Sequence, residues 1–214
     1  MNLSFIELRK EYQQQTLHET EVEASPIAQF KKWFDQAMAA EVTYPDAMTL
    51  ATATQDGKPS ARVVLLKGVD ENGFTFFTNY ESHKGRELAQ NPHASLVFWW
   101  KELERQVRIA GRVERVTVHE SDNYFRMRPR GSQIGAWASA QSEALPTREA
   151  LEQSVRAFEE KYADGEVPRP PHWGGFRVLP HTIEFWQGRL NRLHDRIRYR
   201  VRESGGWVIE RLAP

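Results

Sequence analysis

Apolar positions along the chain change period several times, and each change marks an element. After Ser25 and Pro26, apolar residues recur at Ile27, Phe30, Phe34, Ala37 and Met38, the spacing of an amphipathic helix with one buried stripe. Ser25 suits the N-cap and Pro26 the first helical position, where a missing N–H costs nothing. The pattern predicts that this helix ends before Tyr44-Pro45. From Ala47 the segments AMTLATAT, SARVVLLKGV and FTFFTN are rich in β-branched and aromatic residues, and QDGKP and DENG separate them. Their Asp-Gly and Asn-Gly pairs supply the positive φ of tight hairpins, so the three segments predict an antiparallel meander. SHKGRELAQNP follows as a short helix capped by Ser82 and stopped at Asn91-Pro92. ASLVFWW and RQVRIAGRVERV return to strand; VHESDNYFRMRP and TREALEQSVRAFEEKYADG return to helix, the second closing on Gly165. GFRVLPHTIEFWQ predicts a strand, and RIRYRV and WVIERL, joined by ESGG, a terminal hairpin. Residues 1–24 keep no steady period and read as a short helix or a mobile arm.

Helices inserted among consecutive antiparallel strands, rather than alternating with each one, predict an α+β fold with a barrel or strongly curled sheet. A chain of 214 residues is long enough for one well-cored domain and short for two. There is no cysteine, which removes thiol catalysis, thiolate metal sites and disulfides together, so any redox chemistry requires a cofactor. No run reaches the ~18 apolar residues of a membrane span and the N-terminus has no signal-peptide core, which leads us to expect a cytoplasmic protein without a membrane partner. The 29 basic residues balance 29 acidic ones, so no global pull toward nucleic acid is expected. The seven histidines show no metal-ligand spacing and no metal is expected. RGSQIG has the wrong spacing for a nucleophile elbow, and no dinucleotide or P-loop glycine pattern occurs.

Cations and hydroxyls gather instead where strands and turns are predicted to end: Arg62 and Lys67 around RVVLLK, His83 and Lys84 in ESHKGR, and Arg128, Arg130 and Ser132 in RMRPRGSQ. Each suits a phosphate oxygen. Strand parity puts Arg62 and Lys67 on opposite faces, so one ligand meets both only if the strand twists or Lys67 lies past its end. GRLNRLHDRIRYR, residues 188–200, concentrates five arginines. An extended strand there would put Arg192, His194, Arg196, Arg198 and Arg200 on one face.

Taken in order, RVVLLKGVDENGFTFFTNYESHKGREL, ERQVRIAGRVERV, YFRMRPRGSQIGAWAS, HWGGFRV and IEFWQGRLNRLHDRIRYR, with the terminal RLAP, resemble the pyridoxamine 5'-phosphate oxidase family from about Leu8 to Pro214. The resemblance implies an FMN-binding split β-barrel with peripheral helices over 25–214, and an N-terminal arm, 1–24, that closes on substrate. It implies a homodimer with active sites at the interface, oxidising pyridoxamine 5'-phosphate or pyridoxine 5'-phosphate to pyridoxal 5'-phosphate with oxygen as acceptor.

Position by position, the family's FMN pattern falls on Arg62, Val63, Val64, Leu65, Leu66 and Lys67. It continues on Phe77 and Thr78, on His83 and Lys84, on Gln106, on Gln141 and Ser142, and on Trp186 and Arg196. The substrate pattern falls on Arg9 and Tyr12, on Lys67, Tyr124, Arg128 and Ser132, and on Arg192, Leu193 and His194. Arg192 and His194 are the expected catalytic pair, serving orientation and proton handling; a histidine titrating near neutrality suits the second task. Arg189, Arg198 and Arg200 are left to solvent or a partner subunit. His83 stands where related enzymes often carry arginine, and Phe77 where tyrosine is common. Two rival readings follow from the same residues: a flavin reductase or flavin-binding protein of the same fold, and a nucleic-acid-binding module using the basic hairpin.

Overall fold

Ser25 Oγ accepts the Ala28 N–H at 3.4 Å and opens the first helix, α1 (Pro26–Ala39). The computed structural model describes Tyr12 and residues 15–214, and among these are five α-helices and nine strands. The strands are β1 (Ala47–Ala53), β2 (Pro59–Leu65), β3 (Gly68–Asp70), β4 (Gly73–Asn79), β5 (His93–Trp100), β6 (Arg105–Arg115), β7 (Trp173–Gln187), β8 (Asp195–Val201) and β9 (Trp207–Arg211). The remaining helices are α2 (His83–Gln90), α3 (Val118–Met127), α4 (Arg130–Ala138) and α5 (Arg148–Lys161). The hydrogen-bonded strand order is β2-β1-β5-β6-β7-β4-β3, with β8 pairing β7 and β9. The fold is α+β, as the pattern predicts. Among the described residues no helix is long and apolar enough to cross a membrane.

The predicted meander is corrected in one place. SARVVLLKGV is two strands, because the chain breaks after Leu65 and the Lys67 N–H turns to the Thr75 carbonyl at 2.8 Å. β2 therefore pairs with β1, and β4 pairs with β3 and β7. RGSQIGAWA, to which the pattern gives no element, is α4. Its two glycines lower helix propensity, but Ile134 is buried with Phe125, Val167 and Trp173, and that packing decides the conformation.

The chain forms two compact units, each assembled from separate stretches of sequence. One holds residues through Thr49, Ser95–Ala110 and Pro180–Pro214. Its core is aromatic: Phe30 lies 5.1 Å from Phe98, Trp33 meets Phe185 edge-on at 5.2 Å, and Phe185 meets Tyr199 at 5.6 Å. Trp33 takes the place on the buried stripe of α1 that the periodicity gave to Met38, which is 56% exposed. In the β7–β8 ladder Phe185 pairs Ile197 and Ile183 pairs Tyr199, all four fully buried.

The other unit holds Leu50–Ala94 and Gly111–Leu179. Its β4–β7 ladder runs from Phe74↔Val178 to Asn79↔Trp173. α2 begins where Ser82 Oγ accepts the Gly85 N–H, and α3 begins at a capping box of Thr117 and Glu120, each satisfying orphan N–H groups of a first turn.

Candidate active site

Helix α2 sets the first element of the site. Its Ser82 cap places Lys84 in the first turn, pointing inward. The Lys84 side chain is buried, and its Nζ donates to Gln141 Oε1 at 2.7 Å and to Thr78 Oγ1 and Ser82 Oγ at 3.2 Å. All three partners are neutral. Desolvation, with the nearby Arg62 charge, lowers the Lys84 pKa to about 8, so this ammonium lacks a counter-charge that an anion would supply.

Arg128 is the second element. Pro129 cannot continue α3, so the chain turns at Arg128 and restarts as α4. The guanidinium lies 4.5 Å above the Trp173 ring, and its buried Nη1 has no hydrogen-bond partner. Burial lowers its pKa. No side chain caps α4, and the Ser132 and Gln133 N–H groups turn to the Pro129 carbonyl at 2.8 and 3.1 Å, so Ser132 offers an anion its hydroxyl rather than its N–H.

Both cations line one cavity of about 560 Å³, within the size range of small-molecule sites. Arg62, Val63, Val64, Leu65 and Lys67 form one wall. β2 stops at Leu65, so Lys67 lies past the strand end and shares the cavity with Arg62 despite their opposite parity. Phe77, Thr78 and Gln141 also line it, as do Tyr124 and Ser132. Trp173 completes an aromatic stack: Phe77 and Tyr124 are 4.0 Å apart at 16°, and Phe77 and Trp173 are 5.6 Å apart at 13°. Sequence reasoning quoted HWGGFRV without giving Trp173 a role; the signal available was its place at the start of a strand beside a glycine pair. Arg62 is held from behind by Glu87, Thr52 and Ser60. Glu87 is itself buried, and although desolvation opposes its ionisation, the Ser60 and Thr52 hydroxyls and the His83 and Arg62 charges lower its pKa.

Several expected groups lie elsewhere. Leu66 is buried. His83 is exposed and turned to Glu87 at 3.3 Å, while its N–H donates to Ser142 Oγ; neither His83 nor Ser142 is on the cavity wall. Arg130, singled out for phosphate, donates to the Gly165 and Tyr162 carbonyls beyond α5. Arg9 lies outside the described residues.

In the first-described unit a second cluster surrounds His194. Its ring lies 4.5 Å from Trp186, and Tyr12 meets both rings edge-on at 5.7 Å. A Cβ on Gly188 would come within 2.7 Å of the Tyr12 ring, so the absence of a side chain there seats Tyr12. His194 Nδ1 accepts the Arg189 N–H at 3.1 Å, which leaves Nε2 as the N–H of the neutral ring. Desolvation and the Arg192 charge lower the His194 pKa, and Asp195 opposes them.

The predicted parity needs correcting here. Asn191 and Arg192 have φ of 54° and 61°, and β8 starts only at Asp195, so Arg192, Leu193 and His194 belong to a turn. The strand face begins at Arg196, which forks onto Glu184 at 2.8 and 3.2 Å. Arg198 and Arg200 pair with Glu210, and Arg189 pairs with Asp195. The row of free cations that the nucleic-acid reading required is taken up by these carboxylates. Gln106, on β6, is half-buried between buried Arg105 and Val107.

A curled antiparallel sheet with a cationic, aromatic-walled cavity defines a protein of the split-barrel class. The same fold occurs in a pyridoxamine 5'-phosphate oxidase-related, FMN-binding protein from Nostoc punctiforme, at TM-score 0.70 and 17% identity over 89% of this chain and 98% of that one. PhzG from Burkholderia lata, solved with tetrahydrophenazine-1-carboxylic acid, matches with TM-score 0.87 and 35% identity over 94% of this chain and 98% of its own. Residues 34–162 match the family model described as pyridoxamine 5'-phosphate oxidase, and residues 173–214 match the pyridoxine 5'-phosphate oxidase C-terminal dimerisation region. A pyridoxine/pyridoxamine 5'-phosphate oxidase of Cyanothece sp. is 61% identical over the full length of both chains, and one of Cupriavidus necator is 57% identical over 97% of this chain and 98% of that one. The chain belongs to the pyridoxamine 5'-phosphate oxidase family and is an oxidoreductase of that family.

Proposed function

We propose that the protein oxidises pyridoxamine 5'-phosphate and pyridoxine 5'-phosphate to pyridoxal 5'-phosphate, with FMN as cofactor and oxygen as electron acceptor, and works as a homodimer. The observation that carries this reading is the unpartnered, buried Nη1 of Arg128 in the same cavity as the buried, acid-free Lys84. Two cations lacking counter-charges fit two phosphorylated ligands. The cavity residues therefore suit FMN: Lys84 and Arg62 would hold its phosphate and the 62–67 wall its ring system. Bound FMN would supply the two-electron acceptor that links substrate oxidation to oxygen.

Arg128, Ser132, Lys67 and Tyr124 are assigned to the substrate phosphate. Clamping that end restricts how the pyridine ring lies, and orientation is a large part of the acceleration available to a transfer governed by alignment. Arg192 and His194 are assigned to the reacting end. With Nδ1 accepting from the Arg189 N–H, His194 Nε2–H orients a substrate oxygen or nitrogen as a donor, while Arg192 adds charge that keeps the imidazole neutral. Arg9 and Tyr12 are assigned to an arm that excludes water.

The test is oxygen uptake by the purified protein, with and without added FMN, on each vitamer with and without its phosphate. Uptake on the phosphorylated forms only is expected. Protein that cannot be reconstituted with FMN, or that turns over neither phosphorylated vitamer, would overturn the reading.

A further inference from the structure

Asp195 has no role in the reading above, yet both its carboxylate oxygens are fully engaged. Oδ1 accepts from Arg211 Nη1 at 2.8 Å; Oδ2 accepts from Arg189 Nη1 at 2.8 Å and from the Leu17 N–H at 3.1 Å. These contacts lead in two directions. Toward the N-terminal segment, Arg211 also grips the Leu17 carbonyl at 2.9 Å and Glu19 Oε2 at 2.8 Å, five residues and more beyond Tyr12. Toward the turn, Arg189 holds Asp195 with its side chain while its backbone N–H donates to His194 Nδ1 at 3.1 Å.

We propose that Asp195 is a positioning residue that couples the segment bearing Tyr12 to the turn bearing Arg192 and His194, so that the arm's seating and the orientation of His194 change together. The proposal rests on the functional reading for its consequence in catalysis, and on the contacts alone for the coupling. Tyr12 and His194 meet edge-on, their ring centroids 5.7 Å apart, and the same carboxylate holds the Leu17 N–H on one side and, through Arg189, the partner of His194 Nδ1 on the other. Burial opposes ionisation of Asp195, but the Leu17 N–H and the two arginines hold its carboxyl below the ordinary range; it stays charged at neutral pH. The charged groups acting on His194 are Arg192 and Asp195. Asp195 favours the imidazolium, so its loss lowers the His194 pKa further.

The experiment compares the FMN-loaded parent with Asp195→Ala, and with Arg211→Met as a second variant should the first fail to fold. NMR reads the His194 titration and the Leu17 amide exchange, and steady-state kinetics separate KM from kcat. For Asp195→Ala we expect Leu17 exchange about tenfold faster, a lower His194 pKa, and KM raised about tenfold with FMN affinity unchanged. For Arg211→Met we expect faster Leu17 exchange and raised KM together. Faster Leu17 exchange with unchanged KM, and with an unchanged His194 pKa in Asp195→Ala, would overturn the coupling, because Asp195 would then only anchor the segment. So would no change in any readout. A parent protein that oxidises neither vitamer would sink the functional reading alone, since the exchange and titration measurements still decide the coupling.

Discussion

At Lys84 the chain keeps a charge where burial disfavours it. Its pKa of about 8 lies below the ordinary lysine value because desolvation penalises the ammonium, and no acid repairs the loss. A phosphate would do so and raise the pKa again. Binding should therefore change little between pH 7 and about 8, above the phosphate's own titration at about 6, and weaken as pH rises through about 8, because the free protein then holds fewer protons than the complex. Fluorescence titration with FMN between pH 7 and 9 checks this. Lys84→Met should weaken FMN at least about tenfold while leaving the melting temperature of the FMN-free protein unchanged or higher, since it removes a buried uncompensated charge. A variant that melts lower without FMN would show Lys84 to be structural. At this scale the sequence was informative about residue type but not aim: His83 and Lys84 are neighbours, yet only Lys84 faces the cavity, and helix phase decides between them.

Elements aim these groups, and two glycines show how tightly. A Cβ on Gly85 would lie 2.1 Å from the Tyr80 carbonyl oxygen and 2.5 Å from its carbon. Backbone cannot move aside as a side chain does, so Gly85→Ala should tilt α2, cost about 1–3 kcal/mol by thermal or urea unfolding, and weaken FMN through Lys84. Gly188→Ala meets the Tyr12 ring instead, which can swing away; it should raise KM for the phosphorylated vitamers with an unfolding midpoint near that of the parent. Equal loss of stability in the two variants would contradict this division. Caps at Ser25 and Ser82 made α1 and α2 legible, and the stop at Gly165 marked the segment of α5. They left α4 unread, because its helix is stabilised by Ile134 packing with Val167 and Trp173, partners remote in sequence.

For the whole molecule, net charge is zero, and the arginines of the C-terminal hairpin are spent on Glu184, Glu210 and Asp195. That distribution suits association with a second copy better than with a polyanion. Residues 173–214 match a dimerisation region, and Val63 and Leu65 on edge strand β2 are exposed at 67% and 43%, apolar surface of the kind that a partner covers. Sedimentation equilibrium should give a dimer at micromolar concentration, and FMN binding should be lost with dissociation; a monomer that binds FMN with full affinity would refute the proposed assembly.

The sequence by itself determined most of the order of helices and strands, α4 and the break between β2 and β3 excepted, the tight turns, the rule that any redox chemistry in a chain without cysteine runs through a cofactor, and, through collinear motifs, the family. Those are properties of local chemistry and composition, which travel with the residues wherever the chain goes. Tertiary structure alone decided that SARVVLLKGV splits so that Arg62 and Lys67 reach one cavity, that Arg128 is left with a free donor over Trp173, that Arg196 is committed to Glu184, and that Asp195 joins Leu17 to the His194 turn. Each depends on groups brought together from different elements, where packing and desolvation set the outcome and no local pattern records it.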